Sequence, residues 1–190
     1  MEVAGLIVAA GRGRRLGDDL PKQYQSLGSG TVLGQAIRAM LAHPGVTRLL
    51  VVIHPGDRTL YKRTVADIAD PRLTPPVTGA GTRSGSVLRG LEALAADPPA
   101  QVLIHDAARP FLAPAVIDAV LAALAEADGA VPALPVVDAL WRGEDGRAIA
   151  PVPRAGLWRA QTPQGFRFEA ILAAHRAHGA DAAADDAEVA

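Results

Sequence analysis

Gly5-Leu6-Ile7-Val8-Ala9-Ala10-Gly11-Arg12-Gly13-Arg14-Arg15-Leu16 is the stretch on which the fold turns. Its short, continuously apolar start, Gly5–Ala9, reads as a strand covered on both faces. The two glycines after it mark a turn, and Pro21-Lys22-Gln23-Tyr24 follows closely. Arg12, Arg14, Arg15 and Lys22 therefore crowd a glycine-rich loop at the end of a buried strand. Backbone N–H groups in such a loop can approach anionic oxygens, while arginine and lysine neutralise charge that develops there. The pattern predicts a cradle for a polyphosphate.

Two other phosphate-binding signatures do not fit. A P-loop requires Gly-x-x-x-x-Gly-Lys-Ser/Thr, which does not occur. A dinucleotide fingerprint requires glycine where Leu16 stands, and an acidic residue about 20 positions on at the end of a second strand.

Working outward, Arg48–Ile53, Leu73–Val77, Gln101–Ile104 and Ala130–Leu134 read as further short strands. Amphipathic helices lie between them: Val32, Leu33, Ala36, Ile37 and Met40 share one face, as do Val87, Leu88, Leu91 and Leu94, and Val116, Val120, Leu121 and Leu124. This alternation predicts an α/β fold, a three-layer α/β/α sandwich around a mostly parallel, Rossmann-like sheet. Ligands of such sheets sit beyond the carboxyl ends of the strands, so Ala9–Arg15 and the run after Ile104 share one rim.

That run is His105-Asp106-Ala107-Ala108-Arg109-Pro110. Asp106 can offer a carboxylate to a metal or a hydroxyl, Ala107 lets a ligand approach closely, and Arg109 can clamp a phosphate. An Asp106–Arg109 ion pair is the plainer alternative. His105 is expected to be packed or hydrogen-bonded and takes no chemical role, and His43, His54, His175 and His178 show no metal-ligand spacing around it.

The segment 138–160 departs from the alternation. Trp141, the turn Gly143-Glu144-Asp145-Gly146, Pro151, Pro153 and Trp158 predict a projecting β-hairpin. With only 4% aromatic residues in the chain, two tryptophans on one excursion predict a dimer contact. The chain then returns through Gln161-Thr162-Pro163-Gln164, whose threonine hydroxyl and glutamine amide are expected to face the rim.

Composition bounds the class. The 190 residues suit one domain, and 49% hydrophobic content supplies a core of Ala, Val, Leu and Ile. A net charge of −1 argues against a general nucleic-acid or membrane-surface binder. The chain has no cysteine, which excludes disulfides, thiolate zinc sites and a cysteine nucleophile. Met1-Glu2-Val3 lacks the basic start of a signal peptide, and the apolar run ends at Arg12. A cytoplasmic protein with no membrane partner is expected.

These elements resemble the 2-C-methyl-D-erythritol 4-phosphate cytidylyltransferase family of the non-mevalonate isoprenoid pathway. The resemblance rests on Ala9–Arg15, Pro21–Tyr24, Arg83-x-x-Ser86-Val87, His105–Pro110 and Thr162–Gln164, which occur in family order along nearly the whole chain. It implies a nucleotidyltransferase fold with a hairpin arm, and transfer of a cytidylyl group from CTP to 2-C-methyl-D-erythritol 4-phosphate with Mg²⁺. By the resemblance, Ala9, Ala10, Gly11, Gly13 and Arg14 hold CTP, with Ala80, Ser86 and Ala107 near the cytidine. Arg15 and Lys22 stabilise the transition state at the α-phosphate, while Asp106, Arg109 and Thr162 hold methylerythritol phosphate. Arg154 matches the arm arginine that reaches the neighbouring subunit's substrate, so a homodimer is implied.

The sequence departs from the family at Ala139, where a threonine is common, and at Gly81, where an acidic residue is common. Asp185–Ala190 reads as a helix start too short to hold itself, and the family continues with a lysine-bearing strand and a helix. The expectation is therefore one domain over 1–190 whose C-terminal end is missing, with continuation into a second enzyme domain left open. A ribitol 5-phosphate cytidylyltransferase and an inactive nucleotide-binding module stay open as alternatives at this point.

Overall fold

The computed structural model describes residues 1–11, 20–178 and 183–190. Gly13, Arg14 and Arg15 lie outside the described residues. In chain order the elements begin with β1 (Val3–Ala9), β2 (Ser26–Leu27), β3 (Gly30–Thr31), α1 (Val32–Leu41), β4 (Arg48–Ile53) and α2 (Arg58–Thr64). They continue with β5 (Val77–Thr78), α3 (Arg83–Leu94), β6 (Gln101–Asp106), α4 (Pro114–Ala123), β7 (Gly129–Ala130) and β8 (Ala133–Pro135). The last are β9 (Leu140–Glu144), β10 (Arg147–Val152), β11 (Trp158–Ala160), β12 (Gln164–Arg167), α5 (Phe168–His178) and α6 (Asp186–Val189).

The central sheet has the order β5-β4-β1-β6-β12-β7. β1 lies parallel to both β4 and β6, and β4 is parallel to β5, whereas β12 runs antiparallel to β6 and β7. Two apolar layers cover it. On one face Val3 and Ile7 of β1 pack with Leu33, Ala36, Ile37 and Met40 of α1 and Ile117 and Val120 of α4. On the other, Ala4 and Leu6 pack with Val87, Leu91 and Leu94 of α3 and Ile171 and Leu172 of α5. Adjacent β1 residues thus serve opposite layers, which is why the strand is apolar throughout rather than alternating. The three-layer α/β/α architecture follows.

Local chemistry starts the two helices that flank the rim. Thr31 caps α1 by accepting a hydrogen bond from the Gly34 N–H at 3.0 Å, and Thr82 caps α3 by accepting from the Gly85 N–H at 3.0 Å.

Three strand expectations need correction. The run Leu73–Val77 forms only the short β5 at its end, with an isolated bridge between Leu73 and Leu49. Pro75 and Pro76 have no N–H to donate to a ladder. Ala130–Leu134 is split at Pro132 into β7, in the main sheet, and β8, in a separate ribbon. Gln101–Ile104 instead continues to Asp106, so His105 and Asp106 sit on β6 itself.

The excursion is also longer than a single hairpin. β9 and β10 pair antiparallel around Asp145 and Gly146, both at positive φ (47° and 74°) as a tight two-residue turn demands. β8 pairs with β11 as a second ribbon, and this is where Trp158 sits, opposite Pro135.

Candidate active site at the strand ends

A cavity of about 550 Å³ opens at the carboxyl ends of β1 and β6. Three separated segments line it: Val8–Gly11 with Lys22 and Gln23, Ala80–Arg83 with Ser86, and Asp106–Arg109. The structure therefore brings together Ala9, Ala10, Gly11, Lys22, Ala80, Ser86, Asp106, Ala107 and Arg109 from the sequence-based set. Among the described residues its charged lining is Lys22, Arg83 and Arg109 against one carboxylate, Asp106. A cationic excess in a concave site suits a polyphosphate.

The β1 turn is held by a residue whose role the motif does not reveal. The Gln23 side-chain amide is buried and donates to the backbone carbonyls of Ala9 and Gly11, both at 2.8 Å. Gln23 belongs to a single 3₁₀ turn, Lys22–Tyr24, so this clamp also sets Lys22 beside the end of β1. On the opposite wall Ser86 accepts from the Ala80 N–H at 3.0 Å, and its hydroxyl lies 2.8 Å from the Thr82 carbonyl. Ser86 thus shapes the 80–82 turn as well as lining the cavity. Gly79 underlies this turn: a Cβ there would fall 2.5 Å from the Ala10 Cβ and 2.8 Å from Ser86 Oγ. Gly81, in contrast, has open space around its would-be Cβ.

Asp106 stands between two arginines. Arg109 Nε donates to its Oδ2 at 3.1 Å, and Arg83 Nη2 donates to its Oδ1 at 3.3 Å. The Asp106–Arg109 ion pair, the plainer alternative for this run, is present on the wall of the cavity. Arg109 also bonds the Gln161 side-chain carbonyl.

Thr162 and Gln164 are not among the residues that line the cavity, whereas the Gln161 side chain reaches its wall through Arg109. Because β12 pairs with β6, the chain entering it passes behind the site. Thr162 Oγ1 accepts from the Asp106 N–H at 3.3 Å and lies 2.9 Å from His105 Nδ1. Gln164 turns instead to α6: its amide nitrogen donates to Asp185 at 3.0 Å, and its carbonyl accepts from the Asp186 N–H at 3.0 Å and the Ala187 N–H at 3.2 Å. These bonds, with the Asp185 side chain accepting from the Glu188 N–H, hold the short α6, whose own length predicts that it cannot hold itself.

His105 is buried and bonded on both ring nitrogens, as expected of a packed histidine. Nε2 lies 2.9 Å from the Arg109 carbonyl, so it carries the proton, and Nδ1 accepts from Thr162. Burial is the main cause holding its pKa below the usual value, although Arg109's carbonyl and Asp106 pull the other way. The ring is neutral scaffolding for the 107–109 turn.

Arg154 lies on the arm, and its guanidinium bonds the Val137 carbonyl of the same arm. Among the described residues no cluster of three or more His, Asp or Glu side chains could hold a metal. The donor set still fits Mg²⁺, which commonly binds through one or two carboxylates together with substrate phosphates. Asp106 is the carboxylate that could supply this, sharing its oxygens with Arg83 and Arg109.

The family model for 2-C-methyl-D-erythritol 4-phosphate cytidylyltransferase matches residues 3–190. A protein of that name from Cereibacter sphaeroides (strain KD131) is 54% identical over 190 residues, covering 100% of this chain and 83% of its own length. The bifunctional enzyme IspD/IspF of Rhodospirillum rubrum is 53% identical over 188 residues, spanning 99% of this chain but 48% of its own. Among solved structures, the 2-C-methyl-D-erythritol 4-phosphate cytidylyltransferase of Thermus thermophilus superposes with a TM-score of 0.77 at 34% identity, covering 100% of this chain and 83% of that one. A 4-diphosphocytidyl-2C-methyl-D-erythritol synthase gives 0.80 at 31% identity, covering 99% and 83%.

Proposed function

The chain belongs to the 2-C-methyl-D-erythritol 4-phosphate cytidylyltransferase family, and from that premise we propose how its rim cavity does the chemistry. The protein is a nucleotidyltransferase that moves the cytidylyl group of CTP onto methylerythritol phosphate, forming 4-diphosphocytidyl-2-C-methyl-D-erythritol and pyrophosphate. The observation that carries the assignment to this cavity is the convergence of Ala9–Gly11, Lys22, Ala80, Ser86 and Asp106–Arg109 around one space at the strand ends.

The nucleophile is the acceptor's phosphate monoester. Its second pKa is about 6, so near neutral pH it is largely a dianion and needs no general base. An acceptor oxygen forms a bond to the α-phosphorus in line, and the bond from that phosphorus to the bridging oxygen breaks, its electron pair leaving with pyrophosphate. Catalysis then consists of alignment and cancellation of charge. His105, neutral and occupied on both nitrogens, fits a reaction without proton transfer.

Ala9, Ala10 and Gly11 cradle the phosphates together with Gly13 and Arg14, and Ala80, Ser86 and Ala107 flank the cytidine. Lys22 and Arg15 meet the charge gathering at the α-phosphate. Asp106, Arg109 and Thr162 hold the acceptor, and Thr162 also accepts from the Asp106 N–H. A divalent cation held by Asp106 and substrate phosphates supplies further charge neutralisation when bound.

Residues 1–190 form one nucleotidyltransferase domain, and its arm makes a homodimer in which Arg154 reaches the neighbour's acceptor. Trp141 and Trp158, both more than half exposed in the single chain, support that role for the arm. No described helix is long and apolar enough to cross a membrane; the proposed site of action is the cytoplasm, where CTP is at hand.

Pyrophosphate release with Mg²⁺ and CTP tests the reading. Release with methylerythritol phosphate, and none with ribitol 5-phosphate or without acceptor, is expected; equal or faster release with ribitol 5-phosphate would reassign the acceptor.

A further inference from the structure

Asp186 is fully buried although it bears a charge, and it sits behind the cavity rather than in it. Its Oδ2 accepts from Arg83 Nη2 at 2.8 Å, and its Oδ1 lies 3.3 Å from Nε2 of the buried His175 on α5. The same Arg83 nitrogen donates to Asp106 Oδ1 at 3.3 Å. One terminal nitrogen with two N–H bonds thus gives one to each carboxylate, joining residues 80 positions apart in sequence by way of α3 (186 − 106).

Burying a carboxylate is costly unless it is paired and hydrogen-bonded. Burial pushes the Asp186 carboxyl up, but His175 and Arg83 more than offset it and hold it below the usual carboxylate range. Burial likewise works against the charge on Arg83, and Asp186 and Asp106 more than offset it. The pair is anchored from behind as well, because Gln164 accepts from the backbone N–H of Asp186 itself. A link made only for stability would not need its shared nitrogen aimed at a residue on the cavity wall.

We propose that Asp186 is a positioning residue for the transfer reaction: through Arg83 it sets the orientation of the Asp106 carboxylate, making α6 a functional element of the site although none of its residues lines the cavity. Arg109 holds the other oxygen of Asp106, so the two arginines together set the plane of the carboxylate that faces the acceptor. The inference rests on the assignment of acceptor binding to Asp106.

A double-mutant cycle in the full chain tests it. Asp186→Asn, close in size but uncharged, is expected to lower kcat/KM for methylerythritol phosphate at least about tenfold while KM for CTP stays within about twofold. In an Asp106→Asn background the same substitution is expected to change kcat/KM by less than about twofold, because there is no longer a carboxylate to orient. Equal factors in both backgrounds would overturn the proposal, as would parallel losses for CTP and acceptor that track a fall in melting temperature. If Asp186→Asn alone does not fold, the neutral pair Arg83→Gln with Asp186→Asn leaves no unpaired buried charge, and because Arg83 lines the cavity the cycle is then read on kcat/KM for methylerythritol phosphate alone. Unmodified protein that transfers nothing to methylerythritol phosphate would sink the functional assignment and this proposal with it; active protein with multiplicative effects would sink the proposal alone.

Discussion

The strand-end rim and the arm are built on opposite terms. At the rim, Gln23, His105 and Asp186 are buried and bonded to partners inside the chain, and each supports a turn or a side chain on the cavity wall. On the arm the pairing is almost wholly ribbon backbone. Among the described residues, six of the nine exposed large hydrophobic side chains lie between Leu134 and Trp158. The rim bonds Gln23, His105 and one oxygen of Asp186 within one chain, whereas the arm leaves apolar surface that a second chain can cover. A reaction needing in-line alignment benefits from the first arrangement.

The sharpest test of the rim is Lys22→Ala. Removing one cation from the transition state is expected to lower turnover at least about a hundredfold, by analogy with loss of one oxyanion donor. Circular dichroism and melting should stay those of the parent, since only the end of an exposed side chain is lost. A near-normal rate in the folded variant would take Lys22 out of the mechanism.

Mixing tests the arm against the rim directly. Lys22→Ala and Arg154→Ala chains, each nearly inactive alone, should recover about a quarter of parental activity when refolded together in equal amounts, because half the dimers then hold one intact site. No recovery would place Arg154 in its own chain's site or outside catalysis. Trp141→Ala with Trp158→Ala should shift the protein toward monomer in analytical ultracentrifugation and lower activity at dilute concentration.

A smaller effect is expected from Gly79→Ala. The new methyl would press on Ala10 and Ser86, costing about 1–3 kcal/mol by overpacking, which chemical denaturation reads out. An equal change such as Gly81→Ala, where the space is open, should leave stability almost unchanged, and the contrast between the two separates wall from opening.

The mildest test is pH. His105 has a folded pKa below its unfolded value, so the unfolded chain binds the proton first as pH falls. Its contribution to stability is complete above the unfolded value of about 6.5 and is lost as pH drops from there toward the folded value. Melting temperature should therefore decline over that window in the parent. His105→Leu, although less stable overall, should show a flatter slope; an unchanged slope would remove His105 as its source.

How much of this is legible in the sequence depends on the range of the interaction. The bounds of β4 and the buried faces of α1 and α3 can be read directly, because a continuous apolar run and a period of 3.6 residues are local patterns that each segment carries by itself. The cavity wall is legible too, since Ala9–Gly11 and Asp106–Arg109 end strands that must lie side by side in a parallel sheet. The break at Pro132 escapes such a reading because an apolar run conceals where the ladder loses a donor. Which of Gln161 and Gln164 reaches the wall is not legible either, because nothing local tells which side chain the pairing of β12 with β6 turns toward Arg109.

The sequence by itself determined the layers, the parallel sheet and the chemistry gathered at its rim, all of which follow from hydrophobic spacing, glycine turns and the placing of charges at strand ends. Only the tertiary structure decided that Gln23 clamps the β1 turn, that His105 lies between Thr162 and the Arg109 carbonyl, and that Arg83 ties Asp186, 103 positions away, to the wall of the site. Those bonds depend on distances and angles between elements far apart in the chain, and a buried polar group takes its meaning from the partner that folding brings to it.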